Sequence, residues 1–267
     1  MDPGITGRTR FLGLIAAPVV QARAPAMANA LLAERGRFGA FVLLPLEVTA
    51  AGLADVTRAL RHVASFAGAI VSMPHKTAIV PLLDDVTPEA RLVGAVNVIR
   101  RTVDARLVGT VLDGEGFVAG LRGAGHEVAG RRCLLVGAGG AAAAIAVALA
   151  QHGCAALAIV NRTPAKAAAL AERVRRAVPG VAVGVGDDPA ARWDVAVNAT
   201  SLGMRPDDPL PMSDDVLRRT ALVAECVLAP ETTALLARAA ALGCRVHGGV
   251  PMLAAQMDLM LRCMGVD

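Results

Sequence analysis

The sequence predicts an α/β fold in two domains. Short apolar runs alternate with longer helical patterns along nearly the whole chain, the order that builds parallel sheets flanked by helices. One such unit, residues 133–163, is complete: an apolar strand, a glycine-rich turn, an alanine-rich helix and a second apolar strand. A length of 267 residues, 55% of them apolar, suits one large or two small domains with ample core.

The first domain reads as strands at 11–15, 41–45 and 68–71, with helices at 25–35 and 53–62 between them. A helix is expected from Pro74 to about residue 83, and strands at 95–100 and 107–109 close the unit. In the second domain a strand at 133–136 enters Gly137, Gly139 and Gly140, and the helix that follows runs to about His152. The strand Ala156–Val160, a helix at 164–178, and strands at 194–198 and 222–227 continue the pattern. The last helix, at 251–264, is expected to return to the first domain. The domains are therefore drawn as 1–101 plus 239–267, and 102–238, with a cleft between them.

The turn at 137–141 carries the first functional signal. Gly137 permits a tight turn, Gly139 allows a backbone to approach closely, and Ala142 is small enough for helix–sheet packing. With Ala138, Gly140 and Ala141 they open a helix whose free N–H groups favour a pyrophosphate, the arrangement of a Rossmann dinucleotide site. An acid at the end of the second strand would hold the ribose 2′-hydroxyl of NAD. Here the strand ends in Asn161-Arg162-Thr163, with Lys166 in the next turn. Arg162 and Lys166 suit the 2′-phosphate of NADP through charge-assisted hydrogen bonds. A ligand-free αβα unit and a merely solvated Arg162 are the alternatives.

Composition removes other classes. The uncharged run 133–160 is long enough to span a membrane, but its change from strand to turn to helix to strand argues against one. No N-terminal stretch combines a basic region, an apolar core and a cleavage site, so export is not expected. Five scattered cysteines without a C-x-x-C suit reduced thiols in a cytoplasm and show no zinc site; no bound metal is expected. A net charge of +4, spread over arginine pairs, with 2% aromatic residues, speaks against nucleic acid. The acidic pairs at 84–85, 187–188, 207–208 and 214–215 are expected at turns. The expected partner is a small-molecule substrate, and the protein is a monomer or a homodimer.

Of 27 basic residues only Lys76 and Lys166 are lysines. Arginine keeps its proton near neutral pH, whereas a lysine with a lowered pKa cycles it. Lys76 lies in Ser72-Met73-Pro74-His75-Lys76, just after an apolar strand, where α/β sites lie. Scarcity alone leaves two readings of Lys76, a proton-transfer group and a chance survivor of lysine-to-arginine drift.

Pro74-His75-Lys76, Gly94-Ala95-Val96-Asn97, Asp113-Gly114-x-Gly116-Phe117, the 137–141 turn, Asn161-Arg162-Thr163, Asn198-Ala199-Thr200-Ser201-x-Gly203-Met204, Pro230-x-x-Thr233 and Met252-Leu253-x-x-Gln256 follow in this order. The series resembles the shikimate dehydrogenase family and spans nearly the whole chain. The resemblance implies an α/β substrate domain completed by the C-terminal helix, a Rossmann NADP-binding domain, and an active-site cleft between them. It implies interconversion of 3-dehydroshikimate and shikimate. By position Lys76 and Asp113 resemble the catalytic pair, and Asn97 and Gln256 resemble substrate-binding residues, with Ser72 beside them. Met204 and Gly249 resemble the wall around the nicotinamide, and Thr200 and Ser201 lie on the loop after a central strand. The chemistry agrees: a ketone that takes a hydride must receive a proton, which an ammonium paired with a carboxylate donates.

The chain also departs from the family pattern. The family's first loop carries His-Ser-x-Ser-Pro, whose serines hold the substrate carboxylate; here it reads Gln21-Ala22-Arg23-Ala24-Pro25. Ile70-Val71-Ser72 stands for the family's Asn-Val-Thr, Val111-Leu112-Asp113-Gly114 for its Asn-Thr-Asp-Gly, and Leu228 for a tyrosine. Positions for cofactor and proton transfer stay while several substrate-holding positions become apolar. Shikimate held weakly, quinate or another cyclic hydroxy compound are the expected substrates, and a non-catalytic NADP sensor is the competing class.

Overall fold

The computed structural model describes residues 4–266. Two compact units emerge, one of the residues up to Leu112 together with those from Gln256, the other of Asp113–Ala255. The sequence reading places these changes at 101/102 and 238/239.

The first unit holds β1 (Arg10–Ala16), β2 (Phe41–Glu47), β3 (Phe66–Val71), β4 (Asp85–Val86), β5 (Val98–Arg101) and β6 (Leu107–Thr110), in the order β2-β1-β3-β5-β6-β4. β1 pairs in parallel with β2 and β3, and β5 runs antiparallel to both β3 and β6. β6 thus belongs to this sheet, which carries the unit on to Leu112. The helices α1 (Ala24–Glu34), α2 (Leu53–Arg61) and α3 (Pro88–Val93) connect the strands. β3 is buried along its whole length because it lies in the middle of the sheet. Gly68 is obligatory there: a Cβ would lie 2.4 Å from the Ile99 carbonyl oxygen and 2.8 Å from Met264.

The second unit holds α4 (Asp113–Gly123), β7 (Arg132–Val136), α5 (Gly140–Gln151), β8 (Ala156–Val160), α6 (Pro164–Ala177) and β9 (Ala182–Val185). β10 (Trp193–Asn198), α7 (Asp214–Arg218), β11 (Thr220–Glu225), α8 (Ala234–Ala241), β12 (Arg245–His247) and the start of α9 (Val250–Cys263) follow. Its sheet is parallel throughout, in the order β12-β11-β10-β7-β8-β9. From β7 the chain moves outward through β8 and β9, then crosses to β10 on the other side. This is the doubly wound order, and the reversal between β7 and β10 makes a crevice at the carboxyl ends of those strands. α5 is buried from Ala142 to Ala150, because it lies between the sheet and α4. Its alanines permit that, and so does Gly114, whose Cβ would lie 2.4 Å from the Ala144 carbonyl oxygen.

Several expectations change. The helix expected over 74–83 is absent: residues 73–79 form turns, and only Val80–Leu82 makes a 3-10 turn. Pro81 has no N–H for a continuing α-helix. Residues 95–97 are not strand, since the Val96 N–H goes to the Lys76 carbonyl and β5 starts at Val98. Asp113 opens α4, a helix the glycines at 114, 116 and 120 conceal. Asp214 and Asp215 stand in the first turn of α7, behind Ser213, which caps Val216 N–H. α3, α7, α8, β4, β9 and β12 were not among the expected elements. Among the described residues no helix is long and apolar enough to cross a membrane.

Candidate functional site

In the first unit the functional side chains gather around Asn97. Its side chain is almost fully buried: Oδ1 accepts the Leu112 N–H at 2.8 Å, and Nδ2 donates to Gln256 Oε1 at 3.1 Å. Gln256, on α9, is equally buried. Val96, the residue before Asn97, donates its N–H to the Lys76 carbonyl at 2.8 Å, and the Asn97 carbonyl accepts from Val71, the residue before Ser72. Ser72, Lys76, Asn97 and Gln256 are therefore brought to one place, beyond the carboxyl end of β3. His75, 1% exposed, anchors the Lys76 turn through a 2.6 Å contact between Nε2 and the Val48 carbonyl. The sequence reading passed over His75. Lys76 itself is half-buried, Ser72 likewise. Ala24 opens α1, and the residue before it, Arg23, gives the helix no side-chain cap. No hydroxyl stands at Ala22 or Ala24.

In the second unit, Asp113 is buried at the head of α4. The β7–α5 turn fits a dinucleotide. Gly137 takes φ +129°, and a Cβ there would lie 2.8 Å from the Ala199 carbonyl oxygen, so the turns after β7 and β10 touch at the crevice. A Cβ on Gly139 would meet nothing within 4 Å, leaving open space before the first amides of α5, which have no side-chain cap. Ala138, Gly140 and Ala141 complete this turn. At the end of β8, Arg162, Thr163 and Lys166 are exposed, and Asn161 Nδ2 donates to the Thr163 carbonyl at 3.0 Å. No carboxylate occupies 161–163, so an anionic group beside Arg162 meets no repulsion within that segment.

The loop after β10 carries Thr200, Ser201 and Met204. Asn198 Oδ1 accepts from both the N–H and the hydroxyl of Thr200, at 3.1 and 2.7 Å. Gly249, at the entry of α9, packs so tightly that a Cβ would lie 2.5 Å from the Val227 carbonyl oxygen. The sequence reading passed over Glu225, which is fully buried at the end of β11. Burial pushes its pKa up to about 7, against hydrogen bonds from Thr233 and Asn198 that favour the carboxylate. A lone acid closing an apolar strand was the available signal.

The family model for the shikimate dehydrogenase substrate binding domain matches residues 14–99, and the one for shikimate / quinate 5-dehydrogenase matches residues 122–202. A shikimate dehydrogenase (NADP(+)) of Rubrobacter xylanophilus is 40% identical over 99% of this chain and 91% of its own length. The chain belongs to the shikimate dehydrogenase family. Among solved members and neighbours, the shikimate 5-dehydrogenase of Listeria monocytogenes, in complex with shikimate and NAD, is 34% identical, with a TM-score of 0.85 over 98% of this chain and 94% of that one. A 5-ketofructose reductase of Gluconobacter sp. strain CHM43 is 32% identical, with a TM-score of 0.81 over 96% of this chain and 93% of that one. Ser72, Lys76 and Asn97 fall within the first matched segment and the 137–141 turn within the second, while Gln256 lies outside both. Among the described residues no group of three or more His, Cys, Asp or Glu is placed to hold a metal ion.

Proposed function

We propose that this chain is an NADP-dependent dehydrogenase interconverting a cyclic hydroxy acid and its ketone, in the class of shikimate and 3-dehydroshikimate. The observation that carries the reading is the buried Asn97–Gln256 pair, joined across 159 residues beside Lys76 in a chain so close to a named shikimate dehydrogenase. A buried polar pair beside a lysine is suited to hold hydroxyl groups while the lysine gives a proton to the carbonyl oxygen.

In this reading the 137–141 turn and the α5 amides hold the pyrophosphate, and Asn161, Arg162, Thr163 and Lys166 hold the 2′-phosphate. Thr200, Ser201, Met204 and Gly249 flank the nicotinamide. When bound, NADP(H) supplies or accepts the hydride. Lys76, as the ammonium, donates a proton to the carbonyl oxygen as charge develops on it, and in the reverse direction takes that proton back. Asp113 is the second member of the catalytic pair. Asn97, Gln256 and Ser72 orient the hydroxyls. The first unit acts as the substrate domain and the second as the cofactor domain. Five cysteines, none of them in a disulfide among the described residues, suit a reducing compartment, the cytoplasm, and the protein acts as a monomer or homodimer.

The alanines at 22 and 24 favour a second reading, a keto substrate without a carboxylate. The neighbour named 5-ketofructose reductase gives that reading a precedent in the same fold. Oxidation of NADPH with 3-dehydroshikimate, 3-dehydroquinate and a series of keto sugars decides between them. Turnover with 3-dehydroshikimate supports the first reading, turnover confined to keto sugars the second. Tight NADPH binding with silence across the series would leave a sensor and sink both.

A further inference from the structure

β11 is apolar over most of its length and closes on Glu225, which is completely shielded from solvent. Glu225 stands in register with Asn198 of β10, so the two side chains leave the sheet on the same face. Asn198 Nδ2 lies 3.5 Å from Glu225 Oε2 and donates to the Leu202 carbonyl at 3.0 Å. The Thr233 hydroxyl donates to the same Oε2 at 3.1 Å while it caps α8 by accepting the Leu236 N–H. Thr200 closes the ring, its hydroxyl accepting the Leu202 N–H at 3.0 Å. Gly203, at φ +102°, passes so near Thr233 that a Cβ would sit 3.4 Å from it. One carboxylate oxygen therefore joins the loop 198–204 to α8. The other, Oε1, is buried with no partner.

Among the described residues no cation offsets a charge on Glu225. Asp194 lies at the other end of β10, bound by the Arg132 N–H, and Arg238 on α8 is taken up by Asp214 of α7. His247 of β12 is in register with Ala224, so its ring leaves the sheet on the opposite face. Asp208 accepts the N–H groups of Gly203 and Arg205, and Cys226 and Glu231 follow Glu225 along the chain. A carboxylate here has one oxygen without a donor in a site shut to water, and such a charge is costly to bury. Opening the loop admits water to it, so linkage makes deprotonation favour the open loop.

We propose that Glu225 is a positioning residue for the loop 198–204: as a neutral acid it lets the loop close over α8, and as a carboxylate it drives the loop open, so that cofactor affinity falls with its ionisation. The inference rests on the reading that this loop flanks the nicotinamide. Its direct consequence for the loop is independent of that reading.

The test measures the dissociation constant of NADP by calorimetry from about pH 5 to about pH 8 for the wild type and Glu225→Gln. Dividing one by the other cancels the titration of the cofactor's own phosphate. The amide holds the same two donors and stays neutral. The ratio is expected near one at the acid end, with the wild type at least about threefold weaker at the alkaline end. A ratio that is constant with pH reduces Glu225 to a structural part and overturns the proposal. In parallel, hydrogen exchange at the Thr200 and Leu202 amides of the cofactor-free protein is expected to show protection lower in the wild type than in Glu225→Gln, at the alkaline end only. Equal protection at every pH overturns the proposal even where NADP binds. Failure of NADP to bind either protein refutes the functional reading instead, and the exchange data still decide the role of Glu225. Should Glu225→Gln not fold, Thr233→Val removes a donor to the carboxylate and is expected to enlarge the alkaline loss of protection, with Thr233→Ser as the control that keeps the hydroxyl. An unchanged loss in Thr233→Val overturns the proposal.

Discussion

At the scale of single residues, the choice of lysine over arginine at position 76 separates proton transfer from mere charge. A guanidinium in its place keeps the charge and loses the proton cycle. Lys76→Arg and Lys76→Ala are both expected to lower turnover by on the order of 100- to 10,000-fold with NADP binding nearly unchanged, in steady-state assays beside calorimetry. Near-normal turnover in Lys76→Arg would refute the role. Arg162 is exposed, so its contact with a 2′-phosphate is partly screened. Arg162→Ala is expected to weaken NADP by roughly tenfold or more and to leave NAD affinity alone, read by titrating both cofactors. Equal affinity of the wild type for both would defeat the assignment. Lys76, Asn97 and Gln256 were legible because they sit in ordered motifs of chemically special residues. Glu225 left only a weak mark, a lone acid closing an apolar strand, since an acid at a strand end usually meets water and its burial shows only in the fold.

At the scale of elements, glycine misled in one place and proline in another. The glycines of α4 look like turn residues but serve close packing: a Cβ on Gly114 would lie 2.7 Å from the Ala148 methyl, and one on Gly120 2.9 Å from the Met252 nitrogen. Gly114→Ala forces α4 and α5 apart. It is expected to cost about 1–3 kcal/mol, seen as a lower urea midpoint at unchanged slope. No loss of stability would mean that the helices yield freely. The helix expected over 74–83 is absent because Pro81 lacks the N–H that an α-helix would need there. The strand–turn–helix of β7 and α5 was plain, because the change from strand to helix happens at glycines that only a turn requires. The entry of α1 carries the substrate question. Two lost hydrogen bonds to a carboxylate contribute roughly 3–6 kcal/mol, and water recovers part of it. Ala22→Ser with Ala24→Ser is expected to lower the KM for shikimate by about two powers of ten with NADP affinity unchanged, since a remote carboxylate is held alike in ground and transition states. A low-micromolar wild-type KM, indifferent to the pair, would show that another group already holds the carboxylate.

At the scale of the whole molecule, the buried acid sets the pH dependence of stability. The folded pKa of Glu225 is raised to about 7 from 4.5. Its contribution is therefore complete below the unfolded value and lost as pH rises through the folded one, by up to about 3 kcal/mol. Asp258, held low by its hydrogen bond from Arg35, and Glu172, held low by Arg176, work in the opposite sense and lose their contributions as pH falls. Glu225→Gln separates the two: the stability of the wild type relative to this variant is expected to drop between about pH 4.5 and pH 7 in urea unfolding. A difference independent of pH would show that folding leaves the Glu225 pKa unshifted. The two-unit plan was visible in the alternation of strands and helices, but its limits were not, because β6 closes the first sheet by pairing with β4 and β5 rather than by any local mark in its sequence. The scarcity of lysine has one more consequence, for the molecule's exposure to reactive carbonyls. Free amines attack reducing sugars, aldehydes and activated acyl groups, and a guanidinium at neutral pH offers no such amine. Apart from the amino terminus, Lys166 is open to them on α6 and Lys76 is half-sheltered in its turn. The basic surface therefore keeps its charge through glycation and acylation, and an amine-selective tag finds one free target and one whose reaction records whether the site is filled.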